Sequence, residues 1–209
     1  LEPVDIDDQR LRRAARGDPC AGQAFGDPLA LWCGLIHSLS LWLWLLLGKG
    51  KKFGHDGNMN EFHSHMPRAL DLARQAALQG EVPVGAVIIK DGAVIAEARN
   101  EMRARHDPTA HAEMLAIRAA CAALGQERLT GCDIWVSLEP CPACAGAIAA
   151  ARLSRLYYAA SDPKSGGVAQ GPCVFDHPQS HWKPEIYSGM MENEAAALLR
   201  AFFAAKRDG

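Results

Sequence analysis

Ile134-Trp135-Val136-Ser137-Leu138-Glu139-Pro140-Cys141-Pro142-Ala143-Cys144 is an apolar, β-branched run that passes directly into a proline-marked helix start. Cys141 and Cys144 lie three residues apart, so a helix beginning near Pro140 puts both sulfurs on one side of its first turn. That end of a helix also presents free backbone N–H groups and the positive pole of the dipole, which lower a thiol's pKa. A second stretch, Asp107-Pro108-Thr109-Ala110-His111-Ala112-Glu113, supplies a third soft-to-borderline ligand in His111. No fourth ligand sits at a comparable spacing. Three protein ligands and one open position are what a catalytic zinc, one per chain, requires, because water takes the fourth place. Glu113, two residues past the histidine, is then within reach of that water as a proton carrier without being a ligand.

Taken singly, each piece has a plainer reading. Cys-x-x-Cys is often a redox pair or half of a structural zinc knuckle, and His-x-Glu on a helix is usually surface. Their occurrence together in one small domain, with Pro140 immediately before Cys141, favours the catalytic site. A closed four-ligand site would have to recruit Cys132, Cys173, His106 or His177, and their spacing does not suggest it.

Working outward, the pattern is regular. Met66, Ala69, Leu70, Leu72, Ala73, Ala76 and Ala77 form a helical stripe that Gly80 ends. Residues 82–89 read as a strand, Asp91-Gly92 as a two-residue hairpin turn, and 93–98 as the returning strand. Asp107-Pro108 caps a predicted helix that carries His111 and Glu113 and runs to Leu124, where Gly125 stops it. Strands follow at 134–138, 155–159 and 185–187, and an amphipathic helix at 192–206 closes the chain. Strands alternating with helices predict an α/β sandwich on a five-stranded mixed sheet, a hairpin first and parallel crossovers after. Ligands in such sheets bind beyond the carboxyl ends of the strands, where both motifs sit.

Composition sets the bounds. The 209 residues allow one ordinary domain plus an appendage, and 49% hydrophobic with 22% charged residues is normal for a chain with a full core. Seven cysteines, several scattered singly like Cys121, suggest a reducing cytoplasm. The net charge is −2, and residues 59–209 alone carry 15 Lys/Arg against 17 Asp/Glu. Nucleic-acid binders usually carry a basic excess, so RNA binding here needs positive charge gathered locally. Residues 29–47 carry no formal charge and include three tryptophans, which makes them a transmembrane candidate by length. The chain begins with Leu1, and residues 1–58 read as translated upstream sequence rather than part of the fold, with a genuine membrane anchor as the other reading.

The His-x-Glu…Pro-Cys-x-x-Cys pairing is the signature of the zinc-dependent nucleoside and nucleobase deaminases. Glu81-Val82-Pro83-Val84-Gly85-Ala86-Val87, Arg99-Asn100, Asp107 to Glu113, Ser137 to Ala147, and Ser161-Asp162-Pro163-Lys164-Ser165-Gly166-Gly167 all resemble bacterial tRNA-specific adenosine deaminases, the TadA family. The likeness covers residues 60–209, with Pro142-Ala143 standing where a bulkier pair is usual. The resemblance implies a three-layer α/β/α fold, zinc on His111, Cys141 and Cys144, and Glu113 moving protons while water attacks C6 of adenine and ammonia leaves. It places Asn100, otherwise a plain turn residue, against the base or ribose, and gives the pocket an aromatic wall for which Phe202 and Phe203 are candidates. The backbone N–H of Ala112 is a further candidate substrate contact, and Arg152 and Lys164 are candidate contacts to nucleic acid. The implied substrate is the wobble adenosine of a tRNA anticodon stem-loop, and the implied assembly a homodimer. A free nucleobase or nucleoside deaminase acting on guanine or cytosine shares the zinc motif and is the alternative. A non-catalytic zinc module has no need of Glu113.

Overall fold

The structure is a computed structural model and describes residues 63–207. The extension 1–58, with its apolar run 29–47, lies outside the described residues. Ten elements follow in chain order: α1 (Met66–Leu78), β1 (Gly85–Lys90), β2 (Ala93–Arg99), α2 (Met102–Arg105), α3 (Ala112–Leu124), β3 (Cys132–Leu138), α4 (Pro142–Ala151), β4 (Arg155–Ala160), β5 (Glu185–Ser188) and α5 (Glu192–Arg207). The sheet order is β2-β1-β3-β4-β5. β1 runs antiparallel to β2 and β3, whereas β3, β4 and β5 are mutually parallel. Asp91 and Gly92 both take positive φ, 51° and 79°, the left-handed pair that a tight hairpin turn demands.

Strand alternation divides the core into two layers. Ala86, Ile88, Ile134, Val136, Leu156 and Tyr158 face one way, under Ala116 and Ala120 of α3 and Ala145 and Ile148 of α4. Val87, Ile89, Trp135, Tyr157 and Ala159 face the other way, under Met66 and Leu70 of α1 and Ala195 of α5. The parallel register sets Trp135 beside Tyr157 and Tyr157 beside Tyr187. Their rings stack at 3.9 and 4.8 Å between centroids, a cross-strand ladder that a one-residue slip would turn to the other face. No helix among the described residues is long and apolar enough to cross a membrane.

Gly85 fixes how closely α1 lies on the sheet. A Cβ there would stand 2.2 Å from the Ala69 carbonyl oxygen and 2.6 Å from Leu72 Cβ. Backbone cannot yield as a side-chain tip does, so Gly85→Ala is expected to lower stability by about 1–3 kcal/mol or more. A denaturant midpoint unchanged by that substitution would contradict this packing.

The helix boundaries around the first motif differ from expectation. Asp107 does not cap the long helix. Its carboxylate accepts hydrogen bonds from Thr109 N (2.8 Å) and Thr109 Oγ1 (2.7 Å), which commits it to a local turn. α3 begins only at Ala112, with His111 extended in the N-cap position, while Gly125 ends it at φ 63° as expected. The short helix α2 carries no local signal, because its cap comes from a distance. Glu81 Oε1 accepts the N–H groups of Arg103 (2.8 Å) and Ala104 (2.9 Å) from across the chain. Between β4 and β5, residues 161–184 make the parallel connection with one 3₁₀ turn, Val174–Asp176, and no α-helix.

Candidate active site

Two helix N-termini converge on one point. His111 is the N-cap residue of α3 and Cys141 the N-cap residue of α4, both extended, and neither side chain caps its own helix. Both side chains are therefore free to point at each other instead. Cys144 follows one turn into α4 and is buried. The Sγ atoms of Cys141 and Cys144 lie 3.6 and 3.4 Å from His111 Nδ1. All three ligand atoms fall within 4.8 Å of one another, and no other His, Cys, Asp or Glu among the described residues joins them. Cys132, Cys173, His106 and His177 thus stay outside the cluster.

The donor set fits zinc. Tetrahedral bonds of about 2.3 Å to sulfur and about 2.1 Å to nitrogen separate S from N by about 3.6 Å. Hydrogen bonds from Cys144 and His111 hold the Cys141 thiol down to about 4. The same sharing with Cys141, together with burial, pushes the Cys144 thiol up, and the contact with Cys141 raises His111. Cys144 therefore keeps a proton that a divalent cation would displace, so metal binding releases it. Among the described residues the structure supplies three ligands and no fourth, which is the open pattern rather than the closed structural one.

Glu113 sits in the first turn of α3, 4% exposed. Burial pushes its carboxyl up to about 7. It lines, with His111 and Cys141, a cavity of about 420 Å³. The structure brings Asn100, Lys164 and Phe203 to the same cavity, along with Val84, Met102 and Leu199. Ala112 is fully buried at the first position of α3, where its N–H has no partner within the helix. Phe203 is 44% exposed at the rim, while Phe202 packs edge-to-face against it and carries Lys206 Nζ 4.6 Å above its ring. Arg152 is not brought to this cavity. It is the left-handed C-cap residue of α4, at the far end from Cys141, with its guanidinium 5.8 Å from the Trp182 ring centroid.

Sequence reasoning missed two buried carboxylates, Glu139 in the cavity lining and Glu81 behind Asn100. Glu81 bonds Asn100 Nδ2 at 3.2 Å as well as α2, and Glu139 stands between β3 and Cys141. The available signal was an acid inside an otherwise apolar strand end, a residue type that is rarely buried without partners.

Comparison with known proteins follows the same segment. The family of MafB19-like deaminases matches residues 59–206. A tRNA-specific adenosine deaminase of Agrobacterium fabrum is 52% identical over 149 residues, which is 71% of this chain and 98% of that protein. One from Bacillus subtilis is 39% identical over 145 residues, 69% of this chain and 90% of that protein. A solved structure from work on A-to-I editing by tRNA:A34 deaminases at the wobble position of transfer RNA is 51% identical. It covers 66% of this chain and 100% of its own, with a TM-score of 0.64. The five-stranded mixed sheet is accordingly the cytidine deaminase-like fold of that neighbour. With the His-x-Glu and Pro-Cys-x-x-Cys motifs meeting at one cavity and relatives matched along almost their whole length, the chain belongs to the tRNA-specific adenosine deaminase family.

Proposed function

We propose that this protein hydrolyses the wobble adenosine of a tRNA anticodon to inosine, releasing ammonia, with one zinc per chain held by His111, Cys141 and Cys144. The observation that carries it is a buried carboxylate, Glu113, beside an open three-ligand cluster in a cavity that reaches solvent. When bound, zinc supplies Lewis acidity, lowering the pKa of water at the site toward about 7. Glu113 takes one proton of the attacking water and delivers it to the ring nitrogen, then takes the second from the new hydroxyl on C6 and passes it to the amine, which leaves as ammonia as the C6 carbonyl forms. Burial lets one carboxyl act as both base and acid, since neither form is strongly favoured there.

Asn100 is held by Glu81 through its Nδ2, which leaves its Oδ1 to accept a hydrogen bond from the substrate. The Ala112 N–H, at the positive end of α3, donates to a ring nitrogen or carbonyl. Phe203 shields the outer face of the base. A cavity of about 420 Å³ suits one splayed nucleotide, with its neighbours left on the rim. Lys164 stands at that rim, so Lys164→Glu is expected to weaken stem-loop binding and reduce the salt slope by about one. Arg152→Glu is expected to do less, because α4 carries that residue away from the cavity. Equal effects from the two substitutions would instead place RNA along the whole of α4.

The tRNA-specific relatives support a cytoplasmic setting. The family resemblance supports a homodimer. Among the described residues the cavity is lined by positions between 82 and 203, so a chain beginning at Met59 is expected to keep full activity.

The test is ammonia release by the zinc-loaded protein from four substrates at equal concentration: an adenosine-34 anticodon stem-loop, guanine, cytosine and free adenosine. Turnover of the stem-loop with inert small molecules supports the proposal. Rapid conversion of guanine or cytosine with an untouched stem-loop replaces it with a free-base deaminase.

A further inference from the structure

Glu139 is 2% exposed, and its carboxylate gathers five donors. Oε1 accepts the N–H groups of Val168 (3.1 Å), Ala169 (2.8 Å) and Gln170 (2.9 Å). Oε2 accepts Asp162 N–H (3.0 Å) and Ser161 Oγ (3.0 Å). No lysine or arginine among the described residues forms an ion pair with it. A buried charge balanced only by hydrogen bonds needs all of them, because each one lost leaves an oxygen short of a partner.

Every donor belongs to one segment, 161–170, whose first half is the outer wall of the cavity and whose second half anchors it. Ser161, Asp162, Lys164 and Ser165 line the cavity. Two glycines let the segment close down. A Cβ on Gly166 would lie 2.7 Å from the Glu139 carboxyl, and one on Gly167 2.6 Å from Pro142 N. The carboxylate thus ties both ends of the segment, 161–162 at the cavity and 168–170 behind it, to a point two residues before Cys141. An apolar side chain could fill that space. It could not hold two separate backbone stretches at a fixed distance from a metal ligand.

We propose that Glu139 is a positioning residue, clamping the 161–170 wall against the start of α4 and so setting how tightly the cavity holds the nucleotides flanking the reacting base. This rests on the RNA deaminase reading for its substrate, but not for the clamp itself. The clamp acts on the wall rather than on Glu113 or the three ligands. Its loss therefore shows in substrate retention and not in the chemical step.

The experiment uses the full chain, loaded with zinc, in wild-type form and as Glu139→Gln, Ser161→Ala and Gly166→Ala. Glutamine matches the shape of glutamate but turns an NH2 group toward backbone N–H donors. Glu139→Gln is expected to raise KM for the stem-loop about tenfold or more, the scale of a lost hydrogen bond to a charged group, while kcat changes far less. Zinc should stay at one per chain. Ser161→Ala should shift KM the same way by less, and Gly166→Ala should do so by wedging a methyl group between the segment and the carboxylate, with Glu139 itself kept. These two keep the test alive if Glu139→Gln does not fold. A fall in kcat at unchanged KM, or unchanged KM in all folded variants, overturns the proposal. Amide exchange separates the clamp from the substrate reading. Exchange at 168–170 should quicken in Glu139→Gln relative to β3 and β4 whatever the substrate, and equal protection overturns the clamp. A wild-type protein inert toward the stem-loop refutes only the substrate reading.

Discussion

Glu113→Ala is expected to lower kcat by about 10²- to 10⁴-fold, the range for loss of a positioned general acid–base group, while zinc stays bound. The two halves of that result follow from geometry. Glu113 lies in the first turn of α3, but the ligand atoms that converge belong to His111, Cys141 and Cys144 alone. Its carboxylate is buried against the cluster, so removal takes away the proton carrier and leaves the donor set intact. Metal analysis alongside steady-state kinetics checks both halves at once. Zinc lost from Glu113→Ala would make the glutamate a ligand and overturn the separation of roles.

His111→Ala and Cys141→Ala should behave differently, with a larger loss. Each removes one of three ligands, and a two-ligand remnant does not hold a catalytic zinc against dilution. Turnover is expected to vanish along with the metal, because water then returns from a pKa of about 7 toward its bulk value of about 15.7. The folded state should suffer as well. His111 and Cys141 are the N-cap residues of α3 and α4, so metal binding fastens the starts of two core helices to each other. A lower melting temperature, insensitive to added zinc, is the expected companion observation. Retention of one zinc per chain by either variant would refute the assigned ligand set.

Much of this was legible because it is local. Cys141 and Cys144 share a helical turn, His111 and Glu113 flank a helix start, and Asp91-Gly92 names its own turn. What escaped depends on contacts across the chain. α2 forms because Glu81, 22 positions before Arg103, caps it, and the long β4–β5 connection is ordered because Glu139 reaches it. Asp107 looked like a cap because proline followed it, and its carboxylate was instead taken by Thr109 two residues on. Arg152 shows a different limit. It follows the Cys motif closely in sequence, yet a ten-residue helix carries the chain about 15 Å from where it began.

The most direct measurement is where inosine appears. An anticodon stem-loop with adenosine at position 34 and further adenosines in loop and stem is incubated with the zinc-loaded wild-type protein and with Glu113→Ala, and each position is then read by mass spectrometry. The account predicts inosine at position 34 alone, from wild type alone. Unmodified adenosine at 34 from a zinc-replete wild-type protein, or inosine spread through the stem, would contradict it.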